Sequence, residues 1–189
     1  MTIVMGLGNP GARYENTRHN VGFTCVDRLA AFFQVRLRKR CFRLYSRASV
    51  STDSGNKALL VKPLTYMNRS GDVVRYFGKD DKFVVVVDNM DLACGGVRIK
   101  FGGGNSGQKG MASIAEALGT PDFLRIYIGT GRPHKDTPVN EHVLGVETLE
   151  PYRTALDEAL EEAKAAIVEY IDGEPIERIQ CRHNRKGIL

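Results

Sequence analysis

Residues 83–88 read Phe83-Val84-Val85-Val86-Val87-Asp88, five apolar positions closed by a carboxylate. Four consecutive valines favour a strand, because two heavy atoms on each Cβ crowd the preceding turn of a helix. No position before Asp88 is polar, so both faces of the strand are covered, which places it inside a sheet flanked by helices. On its N-terminal side, residues 2–7 form a second short apolar run that ends at glycines and reads as a buried first strand. Residues 8–17 hold Pro10, Gly11 and Asn16 and read as a loop. Residues 20–33 place Val21, Cys25, Leu29 and the Phe32/Phe33 pair at helical spacing.

Residues 40–50 and 57–63 flank Asp53-Ser54-Gly55-Asn56, the pattern of a strand–turn–strand hairpin. A short helix is predicted over 67–77, interrupted at Gly71. Beyond residue 88, strands are predicted over 96–101 and 123–128, with a helix over 106–118 following Gly102-Gly103-Gly104. Residues 149–171 carry Leu149, Tyr152, Leu156, Leu160, Ala163 and Ile167 on one helical face, with acids opposite, and 175–183 read as a short last helix. Strands alternating with helices give an α/β layered fold, and the early hairpin makes its sheet mixed. The expectation is one domain over 1–189, a twisted mixed β-sheet flanked by helices.

At 189 residues, 42% hydrophobic and 26% charged, the chain has enough apolar surface for one core, and global disorder is excluded. No apolar run approaches the roughly 20 residues that span a bilayer. Residues 1–5 lack the basic start and cleavage site of a signal peptide. Cys25, Cys41, Cys94 and Cys181 are scattered, which fits free thiols in a reducing cytoplasm. The net charge is +5 but uneven: residues 147–177 hold ten acids against Arg153 and Lys164, leaving +13 for the remainder. A basic body with one acidic flank suits a polyanionic partner such as nucleic acid.

Gly6-Leu7-Gly8-Asn9-Pro10-Gly11 fits the outline of a dinucleotide-binding fingerprint. That chemistry needs a helix to open within the glycines and present its N-terminus to a pyrophosphate. Here the loop runs on to about residue 20, and Asp27 falls inside a helix where a ribose-binding acid at a strand end is needed. The dinucleotide reading is therefore rejected. The chain contains no nucleophile elbow, no phosphate loop and no metalloprotease motif, and His19, His134, His142 and His183 lack the spacing of metal ligands.

Three segments carry the chemistry. They are 6–11 followed by Tyr14-Glu15-Asn16-Thr17-Arg18-His19-Asn20, then Thr65-Tyr66-Met67-Asn68-Arg69-Ser70-Gly71, then Asp88-Asn89-Met90-Asp91-Leu92 with Gly96 to Gly104 beyond. Together they resemble the bacterial peptidyl-tRNA hydrolase family, from the first strand through Gly145; the acidic helix and basic C-terminus fit only loosely. The resemblance implies hydrolysis of the ester between a peptide and tRNA, without metal or cofactor; the cysteines place it in the cytoplasm, and with no sign of oligomerisation a monomer is the default expectation. The resemblance also makes His19 the base and Asp88 its orienting partner, and assigns Asn9 and Asn68 to the peptide ester. It places Tyr14 and Tyr66 along the substrate groove and Lys100 and Arg125 on a tRNA phosphate.

The residue types suit those roles. A histidine where a loop enters a helix can face a cleft, and a carboxylate at a strand's C-terminal end can hold one imidazole nitrogen while the other acts as base. Neutral amides donate and accept without titrating. Taken singly, these are ordinary capping, turn and half-buried residues. The run Arg36, Arg38, Lys39, Arg40, Arg43 and Arg47 holds no acid and reads either as a phosphate-facing surface or as a solvated edge strand. One stretch departs from the family: Gly107-Gln108-Lys109-Gly110 stands where Gly-His-Asn-Gly is usual. That departure leaves open a catalytically inactive RNA-binding paralogue of the same fold.

Overall fold

The computed structural model describes residues 1–39, 41–105, 107–133 and 135–188. These form one seven-stranded sheet with helices on both faces. The strands are β1 (Thr2–Gly6), β2 (Arg38–Lys39), β3 (Tyr45–Ser51), β4 (Lys57–Pro63), β5 (Lys82–Asn89), β6 (Val97–Phe101) and β7 (Leu124–Gly129). Their order across the sheet is β2-β3-β4-β1-β5-β7-β6. The four inner strands β4, β1, β5 and β7 run parallel, while β3, β2 and the edge strand β6 are antiparallel. The sheet is mixed because a hairpin, β3–β4, closes one side of the parallel centre and β6, joined to β7 through α2, pairs antiparallel on the other.

The valine run lies in β5, flanked by β1 and β7, and sends alternate side chains to opposite faces. Val84 and Val86 join Val4, Leu60 and Ile126 beneath α1 (Val21–Phe32) and α4 (Tyr152–Ile171). Phe83, Val85 and Val87 join Ile3, Met5 and Leu59 beneath the 3-10 segment Met67–Tyr76 and α2 (Lys109–Leu118). Each such side chain stabilises the fold by roughly 1.5–3 kcal/mol on burial. Two shorter helices complete the chain, α3 (Val139–Leu144) and α5 (Ile176–His183). Among the described residues, no helix is long and apolar enough to cross a membrane.

Two close approaches set the active end of the sheet. A Cβ on Gly6 would lie 2.0 Å from the Gly22 carbonyl oxygen, so α1 rests backbone to backbone on the end of β1. A Cβ on Gly71 would lie 2.1 Å from the Ser113 carbonyl oxygen, and the Ser113 hydroxyl accepts a bond from the Gly71 N–H at 3.0 Å. The 3-10 segment and α2 are thereby joined.

Several boundaries differ from the sequence reading. The 67–76 segment breaks at Arg69 (φ −119°, ψ 18°) rather than at Gly71, which instead makes the contact with α2. Leu149 precedes α4 and is 67% exposed; the buried face of that helix rests on Ala155, Ala159, Ala163 and Ala166, whose small side chains let it lie close. The first hairpin strand starts at Tyr45, and an additional two-residue strand pairs Arg38 with Arg47. Arg40, Ser106 and His134, which fell within the predicted basic run, helix start and histidine set, lie outside the described residues. The glycine loop does not open a helix: a 3-10 turn (Ala12–Tyr14) follows it, and α1 starts at Val21.

Candidate active site

The C-terminal ends of β1 and β5 open into a cleft of about 690 Å³ lined by Asn9, His19, Tyr66, Asn68, Asp88, Gln108 and Lys109, with Val139, Asn140 and Val143 of α3 opposite. A larger groove of about 990 Å³ lies at the other end of the sheet, around Phe77, Lys82, Phe83 and Phe123; it contains no histidine or cysteine. The chemistry is therefore placed in the smaller cleft.

His19 sits in the 3-10 turn Arg18–Asn20 that leads into α1. Asp88 lies inside β5, one residue before its end, and is only 4% exposed. The imidazole Nδ1 is 2.9 Å from the Asp88 Oδ2. An ionised carboxylate can only accept, so Nδ1 is the donor and Nε2 is left without a bond to Asp88. The second carboxylate oxygen, Oδ1, accepts a 2.7 Å bond from the Gln108 amide nitrogen. Both oxygens of the buried carboxylate are thus engaged, as a buried charge requires.

Asn9 is held from three directions. Its backbone N–H donates to Asn20 Oδ1 at 2.8 Å, and its carbonyl accepts from Asn20 Nδ2 at 3.0 Å. Its own Oδ1 accepts from the Met67 backbone N–H at 3.0 Å. Only the Asn9 amide N–H₂ remains for a ligand. Asn68 enters the same cleft from the 3-10 segment, and Tyr66, 55% exposed, stands at the rim.

The turn that carries His19 is braced from outside. Arg18 pairs with Glu147 at 2.7 Å and donates to the His142 carbonyl at 3.1 Å, while Thr17 bridges to Val146. Sequence reasoning gave no role to Arg18 or Asn20 and left that of Gln108 open, since their roles rest on partners far away in the chain. The one local signal was that Gln108 stands just before a helix that follows three glycines.

The remaining predicted positions lie apart from the cleft lining. Tyr14 ends its own 3-10 turn, where the Arg13 guanidinium lies over its ring and donates to its hydroxyl. Lys100 is exposed on the edge strand β6, directly opposite Arg125 of β7. Arg125 corrects the expectation of a phosphate contact, because it has no exposed surface. Its guanidinium donates to the Gly104 and Pro121 carbonyls and to Asn105 Oδ1, at 2.7, 3.1 and 3.2 Å, and packs over Phe123. It holds the glycine loop in place. Of the basic run, Arg36, Arg38, Lys39 and Arg43 are exposed at the β2–β3 edge, and Arg43 stacks over Tyr76.

The cleft can thus orient an imidazole base, offer amide donors and present the exposed Lys109 as a charge in its lining. A family model described as peptidyl-tRNA hydrolase matches residues 3–188. The peptidyl-tRNA hydrolase of Bacillus velezensis is 45% identical over 79% of this chain and 81% of its own length. That of Bacillus subtilis is 42% identical over 88% of this chain and 92% of its own. The crystal structure of the peptidyl-tRNA hydrolase of Acinetobacter baumannii superposes with a TM-score of 0.88 at 30% identity, covering 98% of this chain and 95% of that one.

Proposed function

Because the chain belongs to the peptidyl-tRNA hydrolase family, we propose that its cleft hydrolyses the ester joining a peptide to tRNA, with His19 as base and Asp88 as its partner. The bond from His19 Nδ1 to Asp88 carries this reading, since it occupies one ring nitrogen and leaves Nε2 for the reacting water. Nε2 takes a proton from a water molecule as the water oxygen attacks the ester carbonyl carbon. The carbonyl electrons move onto oxygen, and the imidazolium is stabilised by Asp88. When the tetrahedral intermediate collapses, the C–O bond to the ribose breaks and His19 returns its proton to the departing ribose oxygen. The products are a peptide carboxylic acid, which releases its proton to solvent, and a free tRNA hydroxyl.

A positioned base contributes typically about 10²–10⁴-fold, and an oxyanion donor about 10²–10³-fold. The free Asn9 amide and that of Asn68 are the donors in this reading, Tyr66 supports the substrate at the rim, and Lys100 meets a tRNA phosphate. The basic body outside residues 147–177 faces the tRNA. The protein acts as a cytoplasmic monomer in the same reading.

The test compares release from an N-blocked aminoacyl-tRNA with release from the same tRNA carrying an unblocked amino acid, with and without EDTA. Rapid EDTA-insensitive release from the blocked substrate alone is the expected result. Tight tRNA binding with no release would mean that the scaffold binds RNA without the chemistry.

A further inference from the structure

Gln108 joins the start of α2 to the acid of the catalytic pair. It is the N-cap of that helix, and its Oε1 accepts the Gly110 backbone N–H at 2.9 Å. An N–H can only donate, so this bond fixes which end of the amide is oxygen. The nitrogen must then point to Asp88 Oδ1, at 2.7 Å. The carboxylate is held by two donors, one per oxygen: His19 Nδ1 on Oδ2 and Gln108 Nε2 on Oδ1. The His19 bond alone leaves the carboxylate free to swing about its last torsion, which is broad for aspartate. The second bond removes that freedom.

We propose that Gln108 is a positioning residue that locks the plane of the Asp88 carboxylate, and through it the direction of the His19 imidazole, with a donor that does not titrate. The proposal rests on the hydrolytic reading of His19 and Asp88 given above. The capping bond is what makes the strap rigid: helix α2 is anchored by Met111 and Ile114 in the core, and Gly71 locks it to the 3-10 segment. The carboxylate is thus tied to a packed element rather than to a loop. The other charged or titratable groups of the cleft are Asp91 after β5, Lys109 at the start of α2 and Tyr66 before the 3-10 segment. Gln108 adds no ionisation of its own to this set.

Two variants separate this role from helix capping. Gln108→Asn keeps a good N-cap but is one methylene too short to reach Asp88. Gln108→Glu keeps both the reach and the capping oxygen, but replaces the donor by a second carboxylate. Each is assayed on N-blocked aminoacyl-tRNA beside the wild-type protein, with thermal unfolding measured in parallel. Gln108→Asn is expected to lower kcat by about 10–100-fold, the scale set by a small misplacement of a reacting group, while its midpoint of unfolding and KM stay near wild type. Gln108→Glu is expected to turn a plateau at high pH into a bell, because it donates to Asp88 only when protonated and like charges side by side raise one carboxyl's pKa. Wild-type kcat in both variants with unchanged pH profiles overturns the proposal, as does a loss that merely tracks unfolding. Absence of turnover in the wild-type protein is a different outcome, which removes the hydrolytic reading itself.

Discussion

Asn20 grips Asn9 by both ends of its side-chain amide: its Oδ1 accepts the Asn9 N–H at 2.8 Å, and its Nδ2 donates to the Asn9 carbonyl at 3.0 Å. Asn20 is 4% exposed and directly follows His19 in the chain. The same turn therefore places His19 and fixes the loop that offers the Asn9 amide.

Asn20→Asp keeps the shape and the acceptor but sets an oxygen against the Asn9 carbonyl. We expect kcat/KM to fall about 10-fold and stability to fall by about 1–3 kcal/mol, the cost of an unmet buried acceptor. Steady-state kinetics and denaturant unfolding measure the two effects. Unchanged kinetics would show that the Met67 bond alone suffices to hold Asn9.

His19→Ala removes the base while leaving the walls of the cleft in place. A fall in kcat of at least about 10²-fold is expected, with tRNA affinity little changed. Near-normal turnover by this variant would sink the mechanism.

Lys100 and Arg125 face each other across β6 and β7, yet their substitutions are expected to differ in kind. Lys100→Ala should weaken tRNA binding and lower the salt slope of log affinity by about one, with stability unchanged. Arg125→Ala should cost about 3 kcal/mol or more, because its three acceptors lose a buried charged donor. Fluorescence binding titrated against salt, together with thermal unfolding, separates the two. An unchanged salt slope takes Lys100 off the phosphate contacts.

Burial between α1 and α4 pushes the Cys25 thiol up to about 12 from its ordinary value of 9.0. A raised value means that the unfolded chain releases this proton first. The contribution to stability is fully present below pH 9.0 and is lost as pH climbs from there toward 12, at about 1.4 kcal/mol per pH unit. Cys94 and Tyr170 are also raised by burial and add to the same alkaline loss. Between about pH 8 and pH 10, wild type should lose on the order of 1 kcal/mol more than Cys25→Ala in urea unfolding. Equal losses would mean that the thiol is reached by solvent.

Much of the fold was legible because its signals are local. The valine run, the spacing of Val21, Cys25 and Leu29, and the hairpin turn at Asp53-Ser54-Gly55-Asn56 each declare their element within a few residues. Edge strand β2 was missed: two residues have no period, and only pairing with Ser46 and Arg47 makes them a strand. At the cleft, His19, Asp88, Asn9 and Asn68 were found through the family resemblance, and their convergence follows from the parallel order of β1 and β5. Arg125 was misplaced because strand alternation cannot tell an exposed face from one roofed by a glycine loop. The role of Gln108 stayed open because its partner lies twenty residues earlier on another element.

The backbone contact between Gly71 and Ser113 welds the wall that bears Asn68 to the wall that bears Gln108. The cleft therefore works as a vice with one fixed jaw. The facing jaw is α3, which supplies Val139, Asn140 and Val143 yet buries none of its own residues. Elements with so little buried surface yield first. Motion in the cleft is therefore expected at α3 before it reaches the wall that bears Asn68 and Gln108.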